Sequence, residues 1–281
     1  METYDVIIRT KNSERTIGAV ISSIFSQKLV KTNILLVDSG SSDRTIEIIN
    51  DFNLHVNKIK ADEYIPAKVL NNIFEKTKSP FVFIVNSDAP LLSALSFKSL
   101  LDSFTEDNVS AVYGRQVAYP DAFPWVKEDL LKEFPCSNSI TWQTLSFPLA
   151  VIRRDCWKIN PFRSPTWGSE DKAWHLKQVS LGSRIIYCPE AVCTHSHNYS
   201  LRELIRRKKI DAEADFFFHY SKNNNLFFYL LKWPFKLLRD WTKVIYLCFK
   251  QLEVGKILYG LIHRTTQHAS YTYYLLMQRF M

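Results

Sequence analysis

Phe81-Val82-Phe83-Ile84-Val85-Asn86-Ser87-Asp88-Ala89-Pro90 is the stretch on which the fold assignment turns. Its five apolar residues run unbroken into a polar triplet, and a proline ends the segment. A short continuous apolar run predicts a strand buried on both faces. Asn86, Ser87 and Asp88 then fall just past the strand's C-terminal end, where open α/β sheets bind ligands. Asp88 is thus a candidate carboxylate for a metal or phosphate site, although an Asp near a Pro is also an ordinary turn former.

Upstream, Tyr4 to Thr10 reads as a β-branched strand. A helix follows over Glu14 to Gln27, with Ser13 as its cap and Ile17, Val20, Ile21, Ile24 and Phe25 at helical spacing. Asn33 to Val37 is a second strand ending in Asp38, and Ser39-Gly40-Ser41-Ser42-Asp43 leads into a helix from Arg44 to Phe52, capped by Ser42 or Asp43. This β-α-β-α order with right-handed crossovers predicts parallel pairing. Asp38 repeats the logic of Asp88: a carboxylate at a strand tip beside a Gly/Ser loop whose N–H groups suit phosphate and whose acid suits a ribose or base. Neither GxGxxG nor GxxxxGK[ST] occurs, so the dinucleotide and P-loop fingerprints are missing.

Downstream, Lys60 to Tyr64 reads as loop or short strand, and Pro66 to Lys76 as a helix with Asn71 on its exposed face. Beyond the opening stretch, a helix is expected over Ser96 to Phe104 and a strand over Val109 to Gln116. Tyr119 to Phe134 is read as an irregular insertion, Thr144 to Arg154 as strand-like, and Pro161 to Trp167 as loop. Gly168-Ser169-Glu170-Asp171 opens a helix through Gln178, with acids in the first turn, where the helix dipole favours them. Arg184 to Tyr187 and Ala191 to His197 are read as two strands. The second carries His195 and His197 on one face, a spacing that suits a metal.

The chain has 281 residues, enough for one large core or two small ones. It is 46% hydrophobic and 23% charged, which excludes a disordered protein. Five cysteines without a CxxC pair indicate a reducing compartment, with neither a disulfide framework nor structural zinc. The acidic start, Met1 to Asp5, does not read as a signal peptide.

Taken together, six segments resemble the family 2 glycosyltransferases: Val6 to Asn12, Leu36 to Asp43, Asn86 to Pro90, Tyr113 to Gln116, Trp167 to Asp171 and Val192 to His197. The resemblance spans roughly residues 4–200 and is nearest to rhamnosyltransferases of bacterial surface polysaccharides. It implies a GT-A fold, a Rossmann-like mixed α/β sheet flanked by helices, as a catalytic domain over residues 1–200, with a helical extension over 201–281. It implies an inverting, metal-dependent transfer of a sugar, rhamnose among the candidates, from a dTDP- or UDP-sugar to a hydroxyl of a glycan or lipid-linked acceptor. Carried over by position, Thr10 and Asp38 hold the nucleotide base and ribose. Arg9, Asn12, Asn71, Asn86, Ser87, Arg115, Trp167 and Gly168 complete the substrate-binding set. Asp88 binds Mg²⁺ or Mn²⁺ with His195 as a further ligand. Asp171 is the catalytic base, with Glu170 beside it. Two departures stand out. Asn86 replaces the first acid of the family's Asp-x-Asp motif, and Leu145 to Leu149 is less polar than an acceptor-binding stretch should be. Two other readings remain open: a sugar nucleotidyltransferase, which lacks its glycine-rich loop here, and a non-catalytic nucleotide-binding scaffold docked on a membrane.

Residues 1–199 hold 22 basic and 22 acidic residues, whereas residues 200–281 hold 14 and 6, the whole net charge of +8. This tail contains Arg206-Arg207-Lys208-Lys209 and aromatic clusters at Phe216 to Phe218, Phe227 to Tyr229, Trp233 to Phe235 and Trp241, interleaved with Lys232, Lys236, Arg239, Lys243 and Lys250. No stretch of 18 uncharged apolar residues occurs, so a spanning helix is not expected. The pattern suits a helix lying in a membrane interface, at the cytoplasmic face of the cell membrane. A helical cap or homo-oligomer interface is the alternative. No nucleic-acid-binding module is recognised.

Overall fold

The computed structural model describes residues 2–137, 144–220 and 225–280; the side chains of Phe227 and Phe228, part of the tail's aromatic series, lie outside the described residues. The elements in chain order are β1 (Thr3–Thr10), α1 (Ile17–Phe25), β2 (Lys31–Asp38), α2 (Thr45–Asp51), β3 (Val56–Lys58), α3 (Pro66–Phe74), β4 (Phe81–Asn86), α4 (Ser96–Asp102), β5 (Val109–Val117), α5 (Pro124–Glu133), β6 (Leu149–Arg153), α6 (Arg154–Ile159), α7 (Glu170–Ser180), β7 (Arg184–Thr194), α8 (Leu201–Asp215), α9 (Asn225–Lys250) and α10 (Ile257–Phe280). The chain forms two compact units. The first comprises residues 1–119, 130–164 and 170–196, the second residues 120–129, 165–169 and 197–281.

Among the described residues, the first unit is built on a seven-stranded sheet in the order β3-β2-β1-β4-β6-β5-β7. Strands β1 to β4 pair parallel. β6 runs antiparallel to both β4 and β5, and β5 pairs parallel with β7. The sheet is therefore mixed, with helices on both faces. Because side chains alternate along a strand, β4 sends Phe83 and Val85 into one apolar layer and Val82 and Ile84 into the other. The first layer is filled by Ile17, Val20, Ile21 and Ile24 of α1 and by Phe97 and Leu100 of α4. The second is filled by Leu70, Ile73 and Phe74 of α3, Trp157 of α6 and Trp174 of α7. Phe83 stacks on Phe97 with centroids 4.0 Å apart. Burial of side chains this size stabilises by roughly 1.5–3 kcal/mol each, so the double-sided run reads as a central strand.

Several expectations need correction. The segment from Tyr119 to Phe134 is not irregular but contains α5; Pro124 stands at the helix start, where a missing N–H costs nothing. Lys60 to Tyr64 holds a 3₁₀ turn at Ala61–Glu63, and the short strand lies earlier, at Val56–Lys58. The strand expected from Thr144 begins only at Leu149, where pairing with Val85 starts, and Arg154 already opens a helix. Arg184 to Tyr187 and Ala191 onward are one strand, β7, which passes through Pro189 with a register shift opposite Gly114 and Arg115. Among the strands of the described sheet β7 has β5 alone as neighbour, besides an isolated bridge from Cys193 to Leu91, and an edge strand tolerates a residue without an N–H. His195 and His197 accordingly lie beyond the strand end rather than on its face. Gly114 is required at the shift: a Cβ there would lie 2.5 Å from the Ala191 carbonyl oxygen.

In the second unit, Ser200 and Glu203 form a capping box that starts α8. Trp125 is wholly buried against Val244, Leu247 and Cys248 of α9. His263 of α10 is buried among the rings of Phe123, Trp125 and Tyr259. Arg264 reaches Asp129 at 2.6 Å, and Lys243 reaches it at 2.5 Å. Burial first, then the neighbouring charges of Arg264 and Lys208, push His263 down to about 4. The unfolded chain therefore takes up a proton near pH 6.5 that the folded one refuses until about 4. Acidification across that window should remove up to about 3 kcal/mol of stability, with no contribution from this group above it. Thermal unfolding followed by circular dichroism between pH 4 and 7 checks this: His263→Leu should flatten the slope, and an unchanged slope would rule out His263 as its source.

Candidate functional site

The parallel register levels the strand tips. Thr10 pairs with Asp38, and Arg9 with Asn86. The C-terminal ends of β1, β2 and β4 thus form one polar edge, the end of an α/β sheet at which ligands bind.

Two loops on this edge are latched together. The buried Asp38 carboxylate accepts the N–H groups of Gly40 and Ser41, both at 3.0 Å, and the Ser41 hydroxyl. Gly40 adopts φ +83°, which its lack of a Cβ allows. Asn12, itself left-handed at φ 49°, donates its N–H to Ser41 Oγ at 2.8 Å and accepts from Ser42 N at 2.9 Å. Ser13 N donates to Thr45 Oγ1 at 2.7 Å, and Asp43 accepts from Thr45 N and Glu14 N. Asp43 thus holds the first amide of α2 from one position before the cap; the cap residues are Arg44 for α2 and Thr16 for α1, neither with a side-chain cap bond, where Ser42 or Asp43 and Ser13 were expected. The Thr10 hydroxyl is buried without a hydrogen-bond partner among the described residues. A ligand or a water can satisfy such an orphaned hydroxyl.

The tip of β4 is held from both sides. Ser87 bonds through its hydroxyl to Ser13 at 2.8 Å and through its carbonyl to Thr16. Asn86 N donates to Pro148 O at 3.2 Å. Beyond Asp88 the chain is stitched to β7: Thr194 N donates to Pro90 O, and Leu92 N to Val192 O, both at 2.9 Å. Tyr119 donates its hydroxyl to the Asp88 carbonyl. This stitching brings Asp88 Oδ1 to 3.7 Å from His195 Nε2. The other imidazole nitrogen, Nδ1, lies 2.7 Å from Gln116 Oε1, while Gln116 Nε2 donates to Ser146 Oγ at 2.8 Å. With its NH₂ committed to Ser146, Gln116 offers His195 only an acceptor. That assigns a proton to Nδ1, and Nε2 is the nitrogen on the Asp88 side, the ligating atom of a neutral ring. A carboxylate oxygen and an imidazole nitrogen form a suitable donor set for a divalent cation. Two donors about 2.1 Å from one ion lie at most about 4.2 Å apart, so this pair fits. Gln116 is then the outer partner that orients the ring. Sequence reasoning did not assign it a role; its signal was a buried polar residue at a strand's C-terminal end.

Arg9 and Glu170 are tied to each other. Their 2.8 Å ion pair joins the tip of β1 to the first turn of α7, with side chains only 14% and 6% exposed. Burial opposes the Arg9 charge, but Glu170, Tyr64 and Asp171 outweigh it and raise its pKa further. Asp171, next in the same turn, is half-buried and accepts from Lys172 N.

The remaining site candidates have their own surroundings. Asn71 is not on an exposed face: its amide oxygen accepts from Trp157 Nε1 and Phe162 N, and its nitrogen donates to Phe162 O. These bonds fasten α3 to the chain after α6. Arg115 donates to Cys136 Sγ, and its Nε is buried without a partner among the described residues. In the second unit, Trp167 is exposed, Gly168 adopts φ +67°, and the His197 ring stacks on Tyr199 at 5.0 Å.

The sequence pattern of Glycosyl transferase family 2 matches residues 5–160, more than half of the chain. The O-antigen chain rhamnosyltransferase RfbN of Salmonella typhimurium is 28% identical over 216 residues, which cover 72% of this chain and 69% of that one. The O-antigen chain rhamnosyltransferase WbaN of Salmonella anatum is 27% identical over 189 residues, covering 63% and 60%. Among solved structures, the mannosyltransferase PcManGT from Pyrobaculum calidifontis, in complex with GDP-Man and Mn²⁺, superposes with a TM-score of 0.65 at 16% identity, covering 98% of this chain and 87% of that one. At that identity the likeness is one of fold.

The Arg9–Glu170 pair makes a prediction that separates structure from catalysis. Glu170→Gln leaves a buried guanidinium without its counter-charge, which costs about 3 kcal/mol or more. The thermal midpoint should fall by roughly 5–10 °C. Asp171→Asn should leave it nearly unchanged. Differential scanning calorimetry on the two variants checks this; equal midpoints would mean that the pair does not hold α7.

Proposed function

The chain belongs to glycosyl transferase family 2, and from that premise we propose that it is an inverting, metal-dependent enzyme that moves a sugar, rhamnose by likeness to its relatives, from a nucleoside diphosphate donor to a hydroxyl of a glycan or lipid-linked acceptor. As a glycosyltransferase it is neither a non-catalytic scaffold nor a nucleotidyltransferase. The observation that carries the metal reading is the placement of His195 Nε2 3.7 Å from Asp88 Oδ1, with the other ring nitrogen held by Gln116 and Gln116 by Ser146.

In this reading Asp88 and His195 hold Mg²⁺ or Mn²⁺. The bound ion supplies charge compensation for a diphosphate leaving group. Asp38 has about four acceptor sites on its carboxylate. Its own loop takes three of them, leaving about one for a donor on the base or ribose. Thr10 contributes its orphaned hydroxyl, and the loops at Asn12 and Ser87 hold the edge in place. Asp171 accepts the proton of the acceptor hydroxyl. It sits on a different element from Asp88, which suits attack from the face opposite the leaving group, and a single displacement of that kind inverts the anomeric carbon. The Arg9–Glu170 pair keeps the first turn of α7 in position for this. We further propose that the second unit docks on the cytoplasmic face of a membrane. No helix among the described residues is long and apolar enough to cross one.

Two predictions test the site. Isothermal titration with Mn²⁺ in the presence of a nucleoside diphosphate should show binding that Asp88→Ala abolishes and Gln116→Leu weakens by about 10–100-fold. Full Mn²⁺ binding by Asp88→Ala would refute the ligand assignment, and full activity in EDTA the metal dependence. For the base, Asp171→Asn should bind donor normally but lower turnover by roughly 10²–10⁴. A loss of less than tenfold would move the role to another group.

A further inference from the structure

We infer that the membrane contact is made by one face of α9, a stripe of apolar side chains edged by cations, and not by the basic run of α8; the inference rests on the membrane reading proposed above. Leu231, Phe235, Leu238, Ile245 and Phe249 are all exposed, Phe235 by 75%, and Leu252 just beyond the helix is exposed by 90%. With Thr242 they are spaced by alternating steps of four and three residues, so they line up along one side of the helix. The opposite side is already occupied. Val244, Leu247 and Cys248 are buried against Trp125, and the indole nitrogens of Trp233 and Trp241 donate to His268 O and Thr265 Oγ1. The helix is thus apolar on two sides, one packed inside the unit and one open to solvent.

Charge identifies the occupant of the open side. Lys232, Arg239 and Lys250 are exposed beside the stripe. Asp240 is the only acid of α9; it is 14% exposed and is shared between His268 at 2.9 Å and Arg239 at 3.1 Å. The open side therefore offers apolar area and net positive charge, with Lys232 and Lys250 unmatched by any acid of the helix. A second copy of the chain would set these cations against their own kind, and flanking charges of one sign disfavour helix pairing. An anionic lipid surface answers both features, taking the aromatic and aliphatic side chains below the headgroups and the cations among them. The α8 run is a weaker contact. Arg207 and Lys208 both reach Asp211, at 2.9 and 2.7 Å, and Lys209 lies 3.8 Å from Glu213. Three of its four cations are thus offset by acids of the same helix.

The full chain is tested by sedimentation with vesicles of phosphatidylcholine alone and of phosphatidylcholine with phosphatidylglycerol. Three variants are compared with the wild type: a stripe variant (Phe235→Ser, Leu238→Ser, Phe249→Ser), a flank variant (Lys232→Gln, Arg239→Gln, Lys250→Gln) and a run variant with Arg206, Arg207, Lys208 and Lys209 changed to Gln. All the stripe and flank positions are exposed, and thermal midpoints confirm that the variants fold. The wild type should pellet with anionic vesicles. The stripe variant should lose that binding, and the flank variant should lose about fivefold per cation, roughly 100-fold in all if each reaches a headgroup. The run variant should lose less than the flank variant. If the wild type binds and the stripe and flank variants bind as well as it does, this face is the wrong one while the membrane reading stands. If the wild type pellets with neither vesicle, the membrane reading falls and this inference with it. A concentration-dependent dimer in light scattering that the stripe variant dissolves would assign the face to a second copy and overturn the proposal.

Discussion

Val82 to Val85 are sealed from water in alternation by two separate apolar layers, and the site inherits its geometry from that arrangement. A one-residue slip of β4 would send each side chain into the wrong layer, so the register against β1 is strongly specified. β1 in turn carries β2. Once β4 is in place, Thr10 and Asp38 end level with each other, with Asn86 one residue short of them opposite Arg9, and the loops that follow emerge from one edge. The antiparallel entry of β6 beside β4 adds Pro148 O as a partner for Asn86 N at the same edge.

Acids of the same type serve different ends on that edge. Asp38 faces inward and organises its loop; Glu170 neutralises a buried arginine. Both are committed to partners within the chain: removing Glu170 leaves a buried guanidinium without its acceptor, a costly state, and removing Asp38 releases the loop amides it holds. Asp88, by contrast, has an imidazole nitrogen 3.7 Å from its carboxylate, the pair proposed above as metal ligands. The distinction lies in which groups surround each carboxylate, because desolvation and hydrogen bonding decide whether an acid is part of the scaffold or available to a ligand.

The second unit divides its charge in the same manner. Its basic run is largely matched by acids one helical turn away, the spacing at which side chains on a helix meet. Along α9 the single acid, Asp240, serves both His268 and Arg239, which leaves Lys232 and Lys250 without an acid on their own helix. Net charge counted along the chain therefore says less about a binding surface than the pairing of each cation does.

Apolar runs and helical spacing by themselves determined the alternating strands and helices of the first unit, because local periodicity states which faces are buried. The polar residues at strand tips marked the edge where the site forms, and the order of six motifs identified the family. Tertiary structure alone decided the rest. α5 was hidden by prolines that serve as a helix start, and β7 by a proline that an edge strand accommodates. Asn71 was read as exposed because its partners, Trp157 and Phe162, lie some ninety residues away. Gln116 gained its role only when β5 and β7 brought it beside His195. Hydrogen bonds and ion pairs between distant segments depend on which strands become neighbours, and a one-dimensional pattern carries burial but not neighbourhood.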